Sequence, residues 1–155
     1  MILNLQIGPK NKILRTKSKK VADFNDSKLK KLISDMKETL KSMDSGLGLA
    51  APQIGENIRL FVLSPSLCEN TVFINLTISK SLRQTRLQEG CLSLPKIFGY
   101  LKRSKSVKIT AFDENGKKFK LKAEGLLAQA FQHEVDHLDG ILFIDKAEKI
   151  FKLES

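Results

Sequence analysis

At 155 residues, with 41% hydrophobic and 28% charged side chains, the chain fits one soluble globular domain over residues 1–155, long enough to bury a core. No apolar run approaches the ~20 residues of a membrane span, and two cysteines exclude a disulfide scaffold and fit a reducing, cytoplasmic setting. A net charge of +10 allows an anionic partner such as RNA, but Lys far outnumbers Arg, Trp is absent, and no aromatic residues interleave with basic ones as on a nucleic-acid platform.

The first residues, Met1–Pro9, lack the charge and cleavage pattern of a signal peptide. The Lys-rich stretch Lys10–Lys20 is predicted to be a loop. From Asp26 to Met43, Leu29, Leu32, Ile33, Met36, Leu40 and Met43 fall on a helical stripe with Lys on the outer face. Asn25 or Asp26 is positioned to cap that helix. The next segment, Gly46-Leu47-Gly48-Leu49-Ala50-Ala51-Pro52-Gln53, is small and glycine-rich. It lacks the Lys-Ser/Thr of a P-loop, and Ala51 breaks the GxGxxG spacing. It reads either as a tight loop between helix and strand or as a backbone wall for a substrate, with Gln53 offering an amide donor.

Ile58–Leu63 and Thr71–Ile78 are predicted strands. Cys68, in a polar turn between them, reads as a free loop thiol. Cys91 follows Gly90, which lets backbone approach a site closely. Taken alone, Cys91 reads equally as a small buried residue or as a thiolate ligand. Val107–Phe112 and Phe119–Ala123 alternate in polarity around Asn115-Gly116, a hairpin signal. From Gly125 to Asp139, apolar residues at Leu126, Leu127, Ala130, Phe131, Val135 and Leu138 follow a helical period, and Gly140 supplies a stop.

That last helix carries His133-Glu134-Val135-Asp136-His137, an HExxH string containing the only two histidines of the chain. Residues at i and i+4 share a helical face, so both imidazoles can bind one divalent metal, with the Glu able to reach a water on it. A third ligand is needed. The string HExxHxxGxxH matches through Gly140 and fails at Phe143. Only 18 residues follow His137, too few for a further packed helix to return a carboxylate. The ligand is therefore expected upstream. A thiolate with two imidazoles leaves a fourth position open for water, as a catalytic site requires.

Three segments, Gly46–Gln53, Glu89-Gly90-Cys91-Leu92-Ser93 and Gln132–Gly140, resemble the peptide deformylase family's GxGLAAxQ, EGCLS and QHExDHLxG, in that order. The resemblance covers nearly the whole chain. It implies an α+β fold, with antiparallel strands packed around a central HExxH helix and an N-terminal amphipathic helix. It implies Cys91, His133 and His137 as metal ligands, Glu134 as general base and then acid, and the Gln53 amide and Leu92 N–H as oxyanion donors. The implied reaction removes the formyl group from the starting N-formylmethionine of new polypeptides, releasing formate. The implied metal is Fe²⁺, with Zn²⁺ or Ni²⁺ as substitutes. Leu47, Leu87, Leu126 and Ala130 are candidate walls of the methionine pocket, each readable equally as core. Gly48 is expected to offer backbone hydrogen bonds to the bound peptide. The resemblance also implies an Asp136–Arg103 ion pair and a structural role for Glu89.

Two departures stand out. Many relatives place an Arg after EGCLSLP, where this chain has Lys96-Ile97-Phe98-Gly99-Tyr100. Relatives often carry a long basic C-terminal helix linked to ribosome docking, whereas this sequence stops at Ser155; the expectation is ribosome association that is either weaker or shifted to the basic surface. No DNA or membrane partner is expected. The other readings are a small peptidase, a deformylase-like hydrolase with altered substrate preference, and a noncatalytic relative binding RNA or nascent chains. Intact Glu134, Cys91 and Gln53 speak against the last.

Overall fold

The computed structural model describes residues 1–153. Its strands are β1 (Gly48–Ala50), β2 (Leu60–Leu63), β3 (Val72–Lys80), β4 (Gln84–Cys91), β5 (Leu94–Ser104), β6 (Ser106–Phe112), β7 (Lys118–Glu124) and β8 (Lys149–Lys152). The helices are α1 (Ser27–Lys41) and α2 (Gly125–Leu138). Every strand ladder is antiparallel. One sheet runs β1-β2-β3-β6-β7 and the other β4-β5-β8, so the fold is α+β with two helices.

The five-stranded sheet is covered on both faces, and side-chain alternation explains how. Leu60 and Val62 pack with Leu29, Ile33, Met36 and Leu40 of α1. Phe61 and Leu63 point the other way, onto Phe131 and Val135 of α2. A strand buried on both sides reads as an unbroken apolar run, which is why β2 is Leu-Phe-Val-Leu. In β3 the parity changes midway. Asn75 adopts a left-handed φ of 52°, and the register slips between Ile74 and Thr77. The slip turns Leu76 and Ile78 toward the Phe61–Phe73–Phe131 cluster. The Asn75 side chain secures the bulge by bonding both backbone groups of Val21, at 2.9 and 3.0 Å.

Asp26 caps α1, its carboxylate accepting from the Lys28 N–H at 2.9 Å. The Asn115-Gly116 hairpin joins β6 to β7, with only Gly116 of its loop left-handed, at φ 79°. Gly46–Gln53 is more than a loop. It forms β1, paired with β2 alone, and then a tight 3-10 turn over Ala51–Ile54. The second sheet was not foreseen from sequence. Its outer positions Gln84, Arg86 and Gln88 are exposed, so β4 shows no run of apolar residues. Its inner side packs Leu94 and Leu101 on Leu14, Leu142 and Phe143. α2 is in contact with both sheets, and the two meet where it carries its histidines.

Candidate metal centre

His133 and His137 stand one turn apart on α2, with ring centroids 4.9 Å apart. Cys91 closes β4, at a register shift between Gly90 and Cys91 that turns the chain toward the helix. One ligand atom from each of Cys91, His133 and His137 lies within 4.8 Å of the others. The Cys91 Sγ is 3.2 Å from His137 Nε2. A thiol sulfur and two imidazole nitrogens suit a divalent transition metal, and three protein donors leave a position open. The donor set therefore fits such an ion.

The ligands are held from behind. His133 Nδ1 meets Glu89 Oε1 at 2.6 Å, leaving Nε2 to face the site. Arg103 grips Glu89 through two bonds, at 2.9 and 2.7 Å, and donates to Asp136 at 2.7 Å. Lys146 reaches the other oxygen of Asp136 at 3.0 Å. Glu89, Arg103 and Asp136 are all buried. Burial alone raises a carboxyl pKa, but Arg103 and then His133 overcome it and bring Glu89 down to about 2. A carboxylate behind the imidazole fixes its tautomer and orientation, as metal sites require. Gln132 ties α2 to β5. Its side chain accepts from the Ser104 N–H at 2.9 Å and donates to the Ser104 carbonyl at 3.0 Å.

Glu134 and Gln53 face the same space. Glu134 is buried, its Oε1 has no hydrogen-bond partner, and burial lifts its pKa to about 7. Burial also pushes His137 well below the usual imidazole value. The Gln53 side chain accepts from the Ala50 N–H at 2.9 Å, which aims its amide NH₂ outward. That NH₂ donates to Ser93 Oγ at 3.1 Å and stands 3.7 Å from Cys91 Sγ.

These groups open into a cleft of about 510 Å³. Leu47, Gly48, Gln53, Cys91, Leu92, Leu126, Ala130, His133 and Glu134, all singled out from sequence, line it. Leu87 does not. It sits two residues before Glu89 on the same strand face, but there it packs on the Leu14–Leu94–Leu101 cluster and lines a neighbouring hollow instead. Asp136 is paired with Arg103 and buried, not solvated. Cys68 is a free thiol away from this site, packed against the Phe61–Phe73 core. Ser93, Gln129, Gln132 and Lys146 were given no role from sequence. Ser93 and Gln132 lie inside the quoted motifs, but their partners, Gln53 and Ser104, come from distant segments and carry no local signal.

The polypeptide deformylase family model matches residues 5–152. A peptide deformylase of Dehalococcoides mccartyi is 47% identical over 137 residues, covering 88% of this chain and 81% of that one. Peptide deformylase 1 of Bacillus subtilis is 46% identical over 143 residues, covering 90% and 86%. The crystal structure of peptide deformylase from Thermotoga maritima superposes with a TM-score of 0.89 at 37% identity, covering 96% of this chain and 99% of that one. With matching sequence and fold, the chain belongs to the polypeptide deformylase family.

Proposed function

We propose that this chain is a single metal-dependent hydrolase domain that removes the formyl group from N-formylmethionine at the start of newly made polypeptides. The observation that carries the reading is the convergence of Cys91, His133 and His137 on one another, at a cleft that Cys91, His133, the buried Glu134 and Gly48 of the edge strand β1 line together. In this reading α2, wrapped by antiparallel strands, is the catalytic scaffold, and α1 braces the sheet that carries β1.

Cys91, His133 and His137 would hold the ion, which supplies Lewis-acid polarisation when bound. Glu134 accepts a proton from the attacking water as its oxygen bonds to the formyl carbon. The buried position that lifts its pKa to about 7 suits a group that both takes and returns a proton near neutrality. As the C–N bond breaks, Glu134 delivers that proton to the departing amine, and formate and a free N-terminus result. The Gln53 amide and the Leu92 N–H receive the negative oxygen formed on the way, where preorganised donors count most. Gly48 sits on β1, whose second edge pairs with no strand among the described residues and can take an extended peptide. Leu47, Leu126 and Ala130 would seat the methionine side chain. A formyl carbon carries only hydrogen, so a crowded site admits it and excludes ordinary peptide carbonyls.

The working ion is proposed to be Fe²⁺, with Zn²⁺ or Ni²⁺ as substitutes. Ribosome association through the basic surface and a cytoplasmic location complete the reading. Iron-loaded protein, handled without oxygen, should release formate from a formyl-Met peptide. Absence of formate with metal demonstrably bound would reject the proposal, and cleavage of unformylated peptides would favour a peptidase.

A further inference from the structure

The outer face of the β4-β5-β8 sheet sets the aromatic and basic side chains of β5, which do alternate along that strand, beside others from β4 and β8 that the linear sequence keeps apart. Phe98, Tyr100 and Lys102 point outward from β5 at alternate positions. The register sets Arg86 opposite Lys102, Gln88 opposite Tyr100, Phe151 opposite Phe98, and Lys149 opposite Tyr100. Phe98 and Phe151 stack with centroids 5.9 Å apart, and Tyr100 also lies 5.9 Å from Phe151. The Arg86 guanidinium sits 4.7 Å over the Tyr100 ring. All three rings are partly exposed.

At one end this face runs into a hollow of about 400 Å³ edged by Lys80, Lys102, Lys146, Gln84 and Glu148. Few negative charges oppose these cations. Glu148 faces Arg86 at 3.8 Å, and the buried Asp136 holds Lys146 at 3.0 Å. Lys80 and Lys102 join no ion pair among the described residues. Burial, and then the neighbouring Lys146, lower the Lys80 pKa. A phosphate bound there would offset both the lost solvation and the repulsion from Lys146.

We propose that this face binds single-stranded RNA, with phosphates among Lys80, Lys102, Lys146 and Lys149 and bases against Phe98, Tyr100 and Phe151. Cations beside a row of aromatic rings are what strand binding needs, because phosphates track the charge while bases stack on the rings. A duplex would keep its base faces from the rings. An anionic lipid surface would use the cations but would have no need of three neighbouring rings. The outward amides of Gln84 and Gln88 are placed to meet ribose 2′-hydroxyls, which favours RNA over DNA. The inference does not rest on the deformylase reading, although Phe98 also edges the cleft and so begins the platform at its rim.

Fluorescence anisotropy of the full chain with a labelled oligouridine of about twelve nucleotides tests it. Saturable binding that weakens with salt is expected. The double variant K102Q/K149Q should flatten the log–log salt slope by about 1.4, two contacts at about 0.7 each. Phe151→Ala should weaken binding about tenfold and leave that slope unchanged. The charge-matched K120Q/K122Q pair, exposed on β7, should stay within about twofold of the unaltered protein. The proposal fails if no saturable binding occurs, or if K120Q/K122Q weakens binding as much as K102Q/K149Q. It fails equally if oligothymidine or phosphatidylserine vesicles bind as tightly as the RNA.

Discussion

The Glu134 carboxylate occupies the space that a side chain on Gly48 would need: its Oε2 lies 2.8 Å from where a Gly48 Cβ would stand. Leu63 closes the other side at 2.9 Å. Gly48 is thus required by contact, because strand backbone and acid must touch. In Gly48→Ala the carboxylate is expected to be displaced. Misplacement of this kind lowers kcat roughly a hundredfold, while metal content stays normal. Steady-state deformylation kinetics beside metal analysis checks both halves.

Cys91 is the ligand that its own surroundings in the sequence left ambiguous. In Cys91→Ala, metal affinity should fall by more than the roughly 10–100-fold that loss of a supporting partner costs. Added metal should then raise the Tm of the unaltered protein and leave the variant's unchanged, because only a folded-state ligand stabilises by mass action. A variant that retained full metal affinity would remove Cys91 from the site.

Arg103 stands between two buried carboxylates, Glu89 and Asp136. Arg103→Met leaves both without their main counter-charge, and breaking a buried pair in this way costs about 3–5 kcal/mol. Urea unfolding should show that loss. Arg103→Lys should recover only part of it, since an ammonium cannot reproduce the two-pronged grip on Glu89.

Gly140 ends the helix that carries both histidines, at φ 75°, and a Cβ there would stand 2.6 Å from the Arg15 carbonyl oxygen. Gly140→Ala should destabilise the fold by about 1–3 kcal/mol through left-handed strain alone, with the backbone contact adding to it. Thermal unfolding followed by circular dichroism measures the shift. Ligand geometry at His133 and His137, seven and three residues earlier and held inside α2, should survive in the protein that remains folded.

Local chemistry made part of this protein legible. The 3.6-residue stripe from Gly125 to Leu138 and the spacing of His133 and His137 are properties of one helix, so sequence carried them. The alternation around Asn115-Gly116 likewise marked the β6–β7 hairpin, because neighbouring residues alone decide it. β4, β5 and β8 were illegible: the exposed positions of β4 are polar, and the pairing of all three strands is decided by partners many residues away. Leu87 shows the same limit, since its strand face was readable but the cluster beneath it was not.

By itself, then, the sequence determined which residues could do chemistry: a thiol, two imidazoles on one helical face, an acid between them, and a glycine-rich strand. Tertiary structure alone decided that a register shift at Gly90 and Cys91 brings the thiol to the helix, that Glu89 bonds His133 and Arg103 at once, and that Lys146 joins Asp136 behind them. It also decided that Phe98, Tyr100 and Phe151 share one face with lysines. The reason is physical. Helical spacing is set by bonds between residues four apart, whereas ligand closure and charge pairing depend on strands whose register only the packed sheet fixes.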